Sequence, residues 1–336
     1  MLSFHRPFGL APMAGLTDTA FRRLVKRQGG CGLVVTEMVS SEGLVRGLDR
    51  TLEYAEFTEE ERPVAVQVFG GDPERMALAA RVVERIGADA VDVNMGCPVP
   101  KVAKGLAGCS LMRDPGRAAA IVEAMAQAVS IPVTVKMRTG WDERGVNAAD
   151  LARRLERAGA AAVTVHGRTA AQGYRGRADW DEIGRVARAV SIPVLGNGDL
   201  VEPGDLVRRM EETGVAGVLV GRGAVANPWI FAQAEAIAAG RPVAAVPAEA
   251  RRRFLLDYID MLLDDRRDEP PGFRHSPVSK PQRAAGRARE RLVVNKLRAL
   301  CAWHTRGLHG GSHLRVAVNR ADSVAALRDA IAASFA

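Results

Sequence analysis

Four kinds of reactive or recognising side chain recur at the ends of short apolar runs in this sequence: a thiol, a lysine, an imidazole and several amides. Cys97 stands in Asn94-Met95-Gly96-Cys97-Pro98, just beyond the run Ala90–Asn94. The glycine and proline around it impose a sharp turn, so the thiol is expected to face a cavity, as a proton donor or a nucleophile. Cys31 and Cys301 read instead as small buried apolar groups, and Cys109 as structural. Lys136 emerges from Val133-Thr134-Val135-Lys136, which carries its amine into the centre of a cup. A cation there suits the electron-rich edge of a reduced ring such as a flavin pyrimidine, with Schiff-base chemistry as the alternative. Amides at Gln67, Asn94 and Asn197 favour the first use, because they offer donors and acceptors to a heteroaromatic ring.

Two glycine-rich turns point to a phosphate. Gly196-Asn197-Gly198-Asp199 and Gly221-Arg222-Gly223-Ala224 let backbone amides approach an anion, and Arg222 adds a charged fork. His166 and Cys97 come with no third or fourth ligand at diagnostic spacing, so no metal site is expected.

The elements that must position these groups are eight short apolar runs: Leu10–Met13, Leu33–Thr36, Val64–Val68, Ala90–Asn94, Val133–Met137, Ala161–Val165, Val194–Gly196 and Gly217–Val220. Each is followed by a longer stretch of helical character, the rhythm of buried parallel strands with crossover helices. Ile131-Pro132 and Ile192-Pro193 precede two of the runs, where a missing amide costs no ladder bond. Gly87, Gly159 and Gly214 fall where a helix should end before the next strand. The sequence thus predicts a (β/α)8 TIM barrel, an α/β fold, over residues 1–240. The strand ends Met13, Glu37, Gln67, Asn94, Lys136, His166, Asn197 and Gly221 would then converge on one face, where this fold carries its chemistry. An open doubly wound sheet would leave those polar ends without a common centre.

The 336 residues are 47% hydrophobic, enough for a large core and a smaller second unit. With 47 basic residues against 39 acidic ones the formal charge is +8, which favours an anionic partner. Four scattered cysteines without a C-x-x-C pair fit a reducing compartment. The start lacks a secretory pattern and no run reaches the length of a membrane span. A soluble, cytoplasmic, monomeric protein is expected.

On its motifs the barrel resembles the tRNA-dihydrouridine synthases, and among them the B branch of the bacterial enzymes. The resemblance is carried by Ala11-Pro12-Met13-Ala14-Gly15-Leu16-Thr17-Asp18 with Phe21-Arg22, by Glu37-Met38, Gln67, and Asn94 to Pro98 with Lys101-Val102. It continues through Val133 to Trp141, His166-Gly167-Arg168-Thr169 with Gln172 and Tyr174, Ala178-Asp179-Trp180, Asn197-Gly198-Asp199, and Gly221-Arg222 with Pro228-Trp229. It spans about Leu10 to Phe231. Leu16 stands where the first motif more often has valine, and Cys109 where the branch usually has serine. The resemblance implies non-covalent FMN reduced by NADPH, and hydride transfer from flavin N5 to C6 of a uracil in tRNA. It implies that Pro12, Met13 and Ala14 lie along the flavin and that Gln67 and Lys136 hold its pyrimidine edge. His166, the turn Asn197, Gly198 and Asp199, and the pair Gly221 and Arg222 would hold the ribityl and phosphate end. Asn94 would lie near the base, with Cys97 protonating C5 from the opposite face. An acid over C5 is what the chemistry requires, since charge developing at C5 and O4 must be quenched. A target base must also leave its stack to enter such a cup.

Beyond Pro247 the strand rhythm stops. Ala248–Leu263, Gln282–Thr305 and Ser323–Ala333 read as helices of a domain over 248–336, which the resemblance assigns to gripping tRNA. Asp264–Pro281 reads as a loop. From Arg274 to Arg298 there are eight Lys or Arg against the single acid Glu290, a run suited to phosphates. Of the family's basic cluster Arg298 is retained, Ala299 and Leu300 replace the other two, and His304 follows Trp303. Arg289, Arg291 and Lys296 are expected to compensate. Two other functions fit parts of this pattern: an FMN barrel oxidoreductase acting on a small pyrimidine-like molecule, and a non-catalytic RNA-binding barrel. The first gives no reason for the basic helical appendage, and the second none for Gln67, Lys136, His166 and Cys97 together.

Overall fold

The computed structural model describes residues 6–103, 105–263, 275–276, 286–308 and 310–335. Apolar runs buried on both faces form eight parallel strands: β1 Phe8–Leu10, β2 Leu33–Val35, β3 Val64–Phe69, β4 Ala90–Met95, β5 Val133–Arg138, β6 Ala162–His166, β7 Val194–Asn197 and β8 Gly217–Val220. Each pairs in parallel with its sequence neighbours, and β1 pairs with β8, so the sheet closes on itself. The result is a closed eight-stranded parallel barrel with flanking helices.

Between the strands lie α1 (Thr19–Arg27), α2 (Ser41–Val45), α3 (Asp49–Ala55), α4 (Pro73–Arg85), α5 (Pro100–Ala103), α6 (Pro115–Ala128), α7 (Ala148–Arg157), α8 (Trp180–Ala189) and α9 (Pro203–Thr213). α10 (Arg222–Ala226) and α11 (Ile230–Ala238) follow β8. Aspartates cap α1, α4, α6 and α8, and prolines open α4 and α6, where an amide would have no helical partner. Gly87, Gly159 and Gly214 take positive φ where α4, α7 and α9 end, as the sequence suggested.

Strand alternation divides the barrel interior into two storeys. Ala11, Leu33, Val35, Ala65, Ala90 and Leu219 form an apolar plug toward the amino-terminal ends. Above it the inward positions turn polar, beginning with Gln67, Asp92 and Thr164. The first strand differs from expectation. It ends at Leu10, and Met13 to Thr17 form a turn in which the Leu16 and Thr17 amides both donate to the Met13 carbonyl. Pro12 has no amide to extend the ladder, so Pro12 to Ala14 lie in a loop over the barrel.

The carboxyl-terminal region is helical: α12 (Ala248–Leu263), α13 (Arg287–His304), α14 (Gly311–Arg320) and α15 (Val324–Ser334). α14 was not expected. The Gln282–Thr305 helix is described only from Arg287, and residues 282–285 lie outside the described residues. So does most of the Asp264–Pro281 stretch; His275–Ser276 within it forms a short antiparallel pair with Phe57–Thr58, where a loop was expected. Phe254 and Tyr258 of α12 meet Phe21 of α1 edge-on at 6.0 and 6.3 Å, and Phe254 stacks on His304 of α13 at 5.5 Å. Barrel and helical residues therefore share one apolar core. No helix among the described residues is long and apolar enough to cross a membrane.

One buried ion pair ties α1 to the chain between β2 and β3. Arg22 Nε donates to Glu61 at 2.5 Å, with 1% and 0% of the two side chains exposed. The same guanidinium donates to the carbonyls of Thr17 and Glu56, while Glu61 also accepts from Thr19 and the Thr58 amide. Deleting one member leaves the other charge buried and alone. Glu61→Ala is expected to cost about 3–5 kcal/mol of stability, seen as a marked fall in thermal midpoint. An unchanged midpoint would contradict this account of α1 docking.

Candidate active site

The register of the central strands brings the polar ends together. Asn94 lies opposite Lys136, Gln67 opposite Asp92, and Arg138, His166 and Asn197 are paired in series across β5, β6 and β7. In a parallel sheet paired residues share a face.

On the β3–β4 side the amides form a chain. Asn94 Nδ2 donates to Gln67 Oε1 at 2.8 Å, and Gln67 Nε2 donates to Asp92 Oδ2 at 2.7 Å. Thr134 Oγ1 completes it by donating to Asp92 Oδ1 at 2.6 Å. Asp92, buried in the barrel, has its carboxyl raised above the usual range by burial. The sequence reading overlooked this residue, although its period-two spacing from Asn94 was the available signal. Asp92 fixes which way the Gln67 amide points, since a carboxylate only accepts.

The turn bearing Cys97 is organised by Asn94, whose Oδ1 accepts from the amides of Gly96 (3.2 Å) and Cys97 (3.0 Å). Behind it the Cys109 amide donates to the Cys97 carbonyl at 3.1 Å. That approach is open only because Gly108 has no side chain: a Cβ there would stand 2.7 Å from the Cys97 carbonyl oxygen. Arg138 braces the same turn, giving Nε to the Gly96 carbonyl and Nη1 to Thr169 and Gly173. Cys97 is partly exposed, whereas Cys31, Cys109 and Cys301 are buried. Burial pushes the Cys31 thiol up to about 11 and the Cys301 thiol to about 12, which leaves both unreactive.

Lys136 donates to Asn197 Oδ1 at 3.0 Å, and Asn197 is itself anchored through Nδ2 to the Leu219 carbonyl. Burial first, and the Arg138 charge second, lower the Lys136 amine to about 8 against the opposing pull of Asp92. No second acceptor for this amine is found among the described residues. His166 is 7% exposed, with Arg168 Nη1 facing its Nε2 at 3.4 Å. A guanidinium only donates, so Nε2 accepts and the ring proton belongs on Nδ1. Burial, followed by the charges of Lys136, Arg138, Arg168 and Arg222, pushes the ring down to about 2.

Gly198 and Asp199 make the turn after β7 with φ of 125° and 51°. A Cβ on Gly198 would come 2.7 Å from Ala178 and 3.0 Å from the His166 ring. The Asp199 carboxylate accepts from Arg168 Nη2 at 2.8 and 2.7 Å and from the Ala178 amide at 2.7 Å. What Asp199 does in the site is hold guanidinium groups: Arg222 Nη2 stands 3.6 Å from its other side. Arg222 opens α10 directly after Gly221, and its guanidinium lies over the rings of Tyr174 (4.9 Å) and Trp303 (5.7 Å). Tyr174 and Arg168 frame the basin around His166. Met13 reaches the same region, since a Cβ on Gly221 would meet its sulfur at 3.4 Å. Pro12 and Met13 are half-buried and Ala14 is exposed at the rim.

The arrangement is a cup with a partly exposed thiol and a chain of amides among the strand ends, Arg138 braced against the thiol's turn, and Lys136, Arg168 and Arg222 around His166. It can take a planar heteroaromatic ring carrying an anionic tail. Among the described residues no group of three or more His, Cys, Asp or Glu could hold a metal ion.

The expected RNA-facing residues are only partly available. Lys296 does not face outward: its ammonium is buried against Asp18, 2.9 Å from Oδ2, because the chain after β1 offers it acidic partners. Arg298 donates to the Ala321 carbonyl at 2.8 Å and serves packing between α13 and the chain after α14. His304 is fully buried between Phe254 and Val225. Arg291 is exposed, while Arg274, Lys280 and Arg283 lie outside the described residues. Arg306 over Trp303, at 3.9 Å, adds an exposed cation that the sequence reading had not singled out.

Comparison with known proteins gives a consistent family. The model of the dihydrouridine synthase family matches residues 9–272. The chain is 46% identical to a probable tRNA-dihydrouridine synthase of Rhodobacter capsulatus, over 78% of this chain and 81% of that one. It is 39% identical to a probable tRNA-dihydrouridine synthase of Rickettsia bellii, covering 96% and 92% of the two chains. Identity is 42% to the tRNA-dihydrouridine synthase B of Pseudomonas putida, over 75% of each.

His166 provides a test of the cation basin. With its folded pKa far below the ordinary 6.5, the native ring stays neutral while an unfolded chain takes up a proton below pH 6.5. Its contribution to stability is therefore intact above pH 6.5 and is lost as pH falls toward 2. The His166 ring resonances should show no titration between pH 5 and 8 by NMR. A midpoint near 6.5 would contradict the crowding of cations around it.

Proposed function

The chain belongs to the dihydrouridine synthase family of enzymes, in its B-like branch, and we propose that it reduces uridines in tRNA to 5,6-dihydrouridine using FMN and NADPH. The observation that carries this reading is the gathering of a partly exposed thiol and four cations at the strand ends of one barrel. A basin in which Lys136, Arg138, Arg168 and Arg222 all add to the burial that keeps His166 neutral is short of an anion. FMN brings one in its phosphate. Its ring also suits the donors present, since Lys136 has an amine not fully used by Asn197 and Gln67 holds a fixed amide orientation.

When bound and reduced by NADPH, FMN supplies a hydride from its N5 to C6 of the uracil. The chain's residues do the rest. Lys136 and Gln67 hold the flavin pyrimidine edge, and Pro12, Met13 and Ala14 line the ring. Asn197, Gly198, Gly221 and Arg222 hold the ribityl chain and phosphate, with the neutral His166 as a hydrogen-bonding partner and Asp199 keeping Arg168 and Arg222 in place. Asn94 contributes to the uracil side while fixing the Cys97 turn. The thiol of Cys97 delivers the proton to C5 as charge develops there, which is where a general acid lowers the barrier. A uracil must leave its stack to reach Cys97 at the strand ends.

In this reading the barrel is a (β/α)8 enzyme domain over residues 1–240, and the helices of 248–336 grip the folded RNA. Exposed cations such as Arg291 and Arg306 supply phosphate contacts whose strength falls with salt. The protein acts as a cytoplasmic monomer.

The half-reactions separate the roles. Cys97→Ala has nothing to lose while NADPH reduces the flavin, so FMN should bleach at nearly the wild-type rate. Reoxidation by tRNA should then slow by roughly 10²- to 10⁴-fold, the range for a lost general acid. Cys109→Ala should behave nearly normally in both steps, by rapid-mixing absorbance. Wild-type reoxidation in Cys97→Ala would remove the thiol from the proton transfer.

A further inference from the structure

Glu37 and Asp18 stand at the mouth without a part in the chemistry above, and both converge on a lysine from the helical region. Gly15, at the tip of the loop after β1, is held at both ends of its backbone. Its amide donates to Glu37 Oε2 at 2.6 Å, and its carbonyl accepts from Lys296 Nζ at 3.1 Å. The same ammonium lies 2.9 Å from Asp18 Oδ2 and 3.7 Å from Glu37 Oε1. Tyr258 of α12 donates to Asp18 Oδ2 at 2.8 Å, while Asp18 Oδ1 caps α1 through the Phe21 amide at 2.9 Å. Glu37 and Lys296 thus bond the peptide that follows Pro12, Met13 and Ala14, and Asp18 and Tyr258 join the same cluster through the lysine.

The helical region does not need this lysine to dock. α13 already buries Val293, Val294, Leu297, Leu300 and Cys301, and α12 buries Phe254 and Tyr258. Lys296 instead puts a single positive charge between two carboxylates that would otherwise face each other, with only 18% of its side chain and 6% of that of Glu37 exposed. Charge-assisted bonds in such a setting are the strong ones. Their common mechanical consequence is to fix the loop from Met13 to Asp18, which has positive φ at Gly15 and no sheet partner of its own.

We propose that Lys296 is a positioning residue: by clamping Gly15 and Asp18 against Glu37, it holds the Pro12–Ala14 segment in the shape that receives the flavin. The cofactor pocket is then complete only while the RNA-gripping helices are seated on the barrel. The inference rests on the functional reading above for the identity of the cofactor, and on the ion cluster alone for the clamp.

The test uses the full chain with Lys296→Met, and with Lys296→Gln read in the same way should the first variant not fold. Hydrogen exchange of the cofactor-free protein is followed by mass spectrometry, and FMN affinity by quenching of flavin fluorescence. Loss of the clamp should speed exchange in peptides covering 13–18 by roughly 10- to 100-fold, the scale of a hydrogen bond to a charged group. Peptides from α12 to α15 should keep their wild-type protection, and the FMN dissociation constant should rise by a similar factor. Unchanged exchange at 13–18 overturns the proposal. So does faster exchange throughout the helical region, which would make Lys296 a docking residue, or a loosened loop with unchanged FMN affinity. Should the wild-type protein itself take up no FMN, the cofactor reading fails, while the exchange measurement still decides the clamp.

Discussion

Everything at the mouth depends on strand register in a closed parallel barrel. A strand shifted by one residue would turn its terminal side chain from the interior to the helix layer. Asn94 opposite Lys136, and Arg138, His166 and Asn197 in series, are side-by-side pairings that only this register produces. Closure makes the register hard to change, since β1 must meet both β2 and β8. The buried apolar cluster of Ala11, Leu33, Val35, Ala65, Ala90 and Leu219 closes the interior beneath the polar storey.

On that floor the site is an electrostatic imbalance held in place by neutral partners. Arg138 is secured by the carbonyls of Gly96, Thr169 and Gly173, and Arg168 by those of Arg175 and Gly176. Of the nearby acids, Asp199 engages Arg168 and Arg222 while Asp92 is spent on Gln67 and Thr134. Carbonyl dipoles orient a cation without cancelling its charge, so the basin keeps its attraction for an anion. Burial, reinforced by the neighbouring cations, lowers the Lys136 amine to about 8 and keeps the His166 ring neutral.

Much of this was legible in the sequence for a physical reason. Strands buried on both faces are continuous apolar runs, and the polar residue that ends such a run is visible as an interruption. Gln67, Lys136, His166 and Asn197 were all found in that way, and Cys97 by its glycine and proline. The first strand was misjudged because Leu10 to Met13 is apolar while its backbone already turns. Asp92 was missed because a lone acid inside a strand gives no sign of which partner it serves. α14 begins directly after Gly310, and glycines at 307, 310 and 311 mask a helix start in the sequence. A basic run shows charge but not direction, and the partners of Lys296 lie more than two hundred residues away in Gly15, Asp18 and Glu37.

Reduction of a uracil in RNA is the central claim, and product analysis tests it most directly. Purified protein supplied with FMN and NADPH would be incubated with unmodified tRNA transcripts, and with free uridine or orotate, and the nucleosides read by mass spectrometry. The account predicts the gain of two hydrogens on uridines of the tRNA alone. Reduction of the free pyrimidine with the tRNA untouched, or of neither, would contradict it.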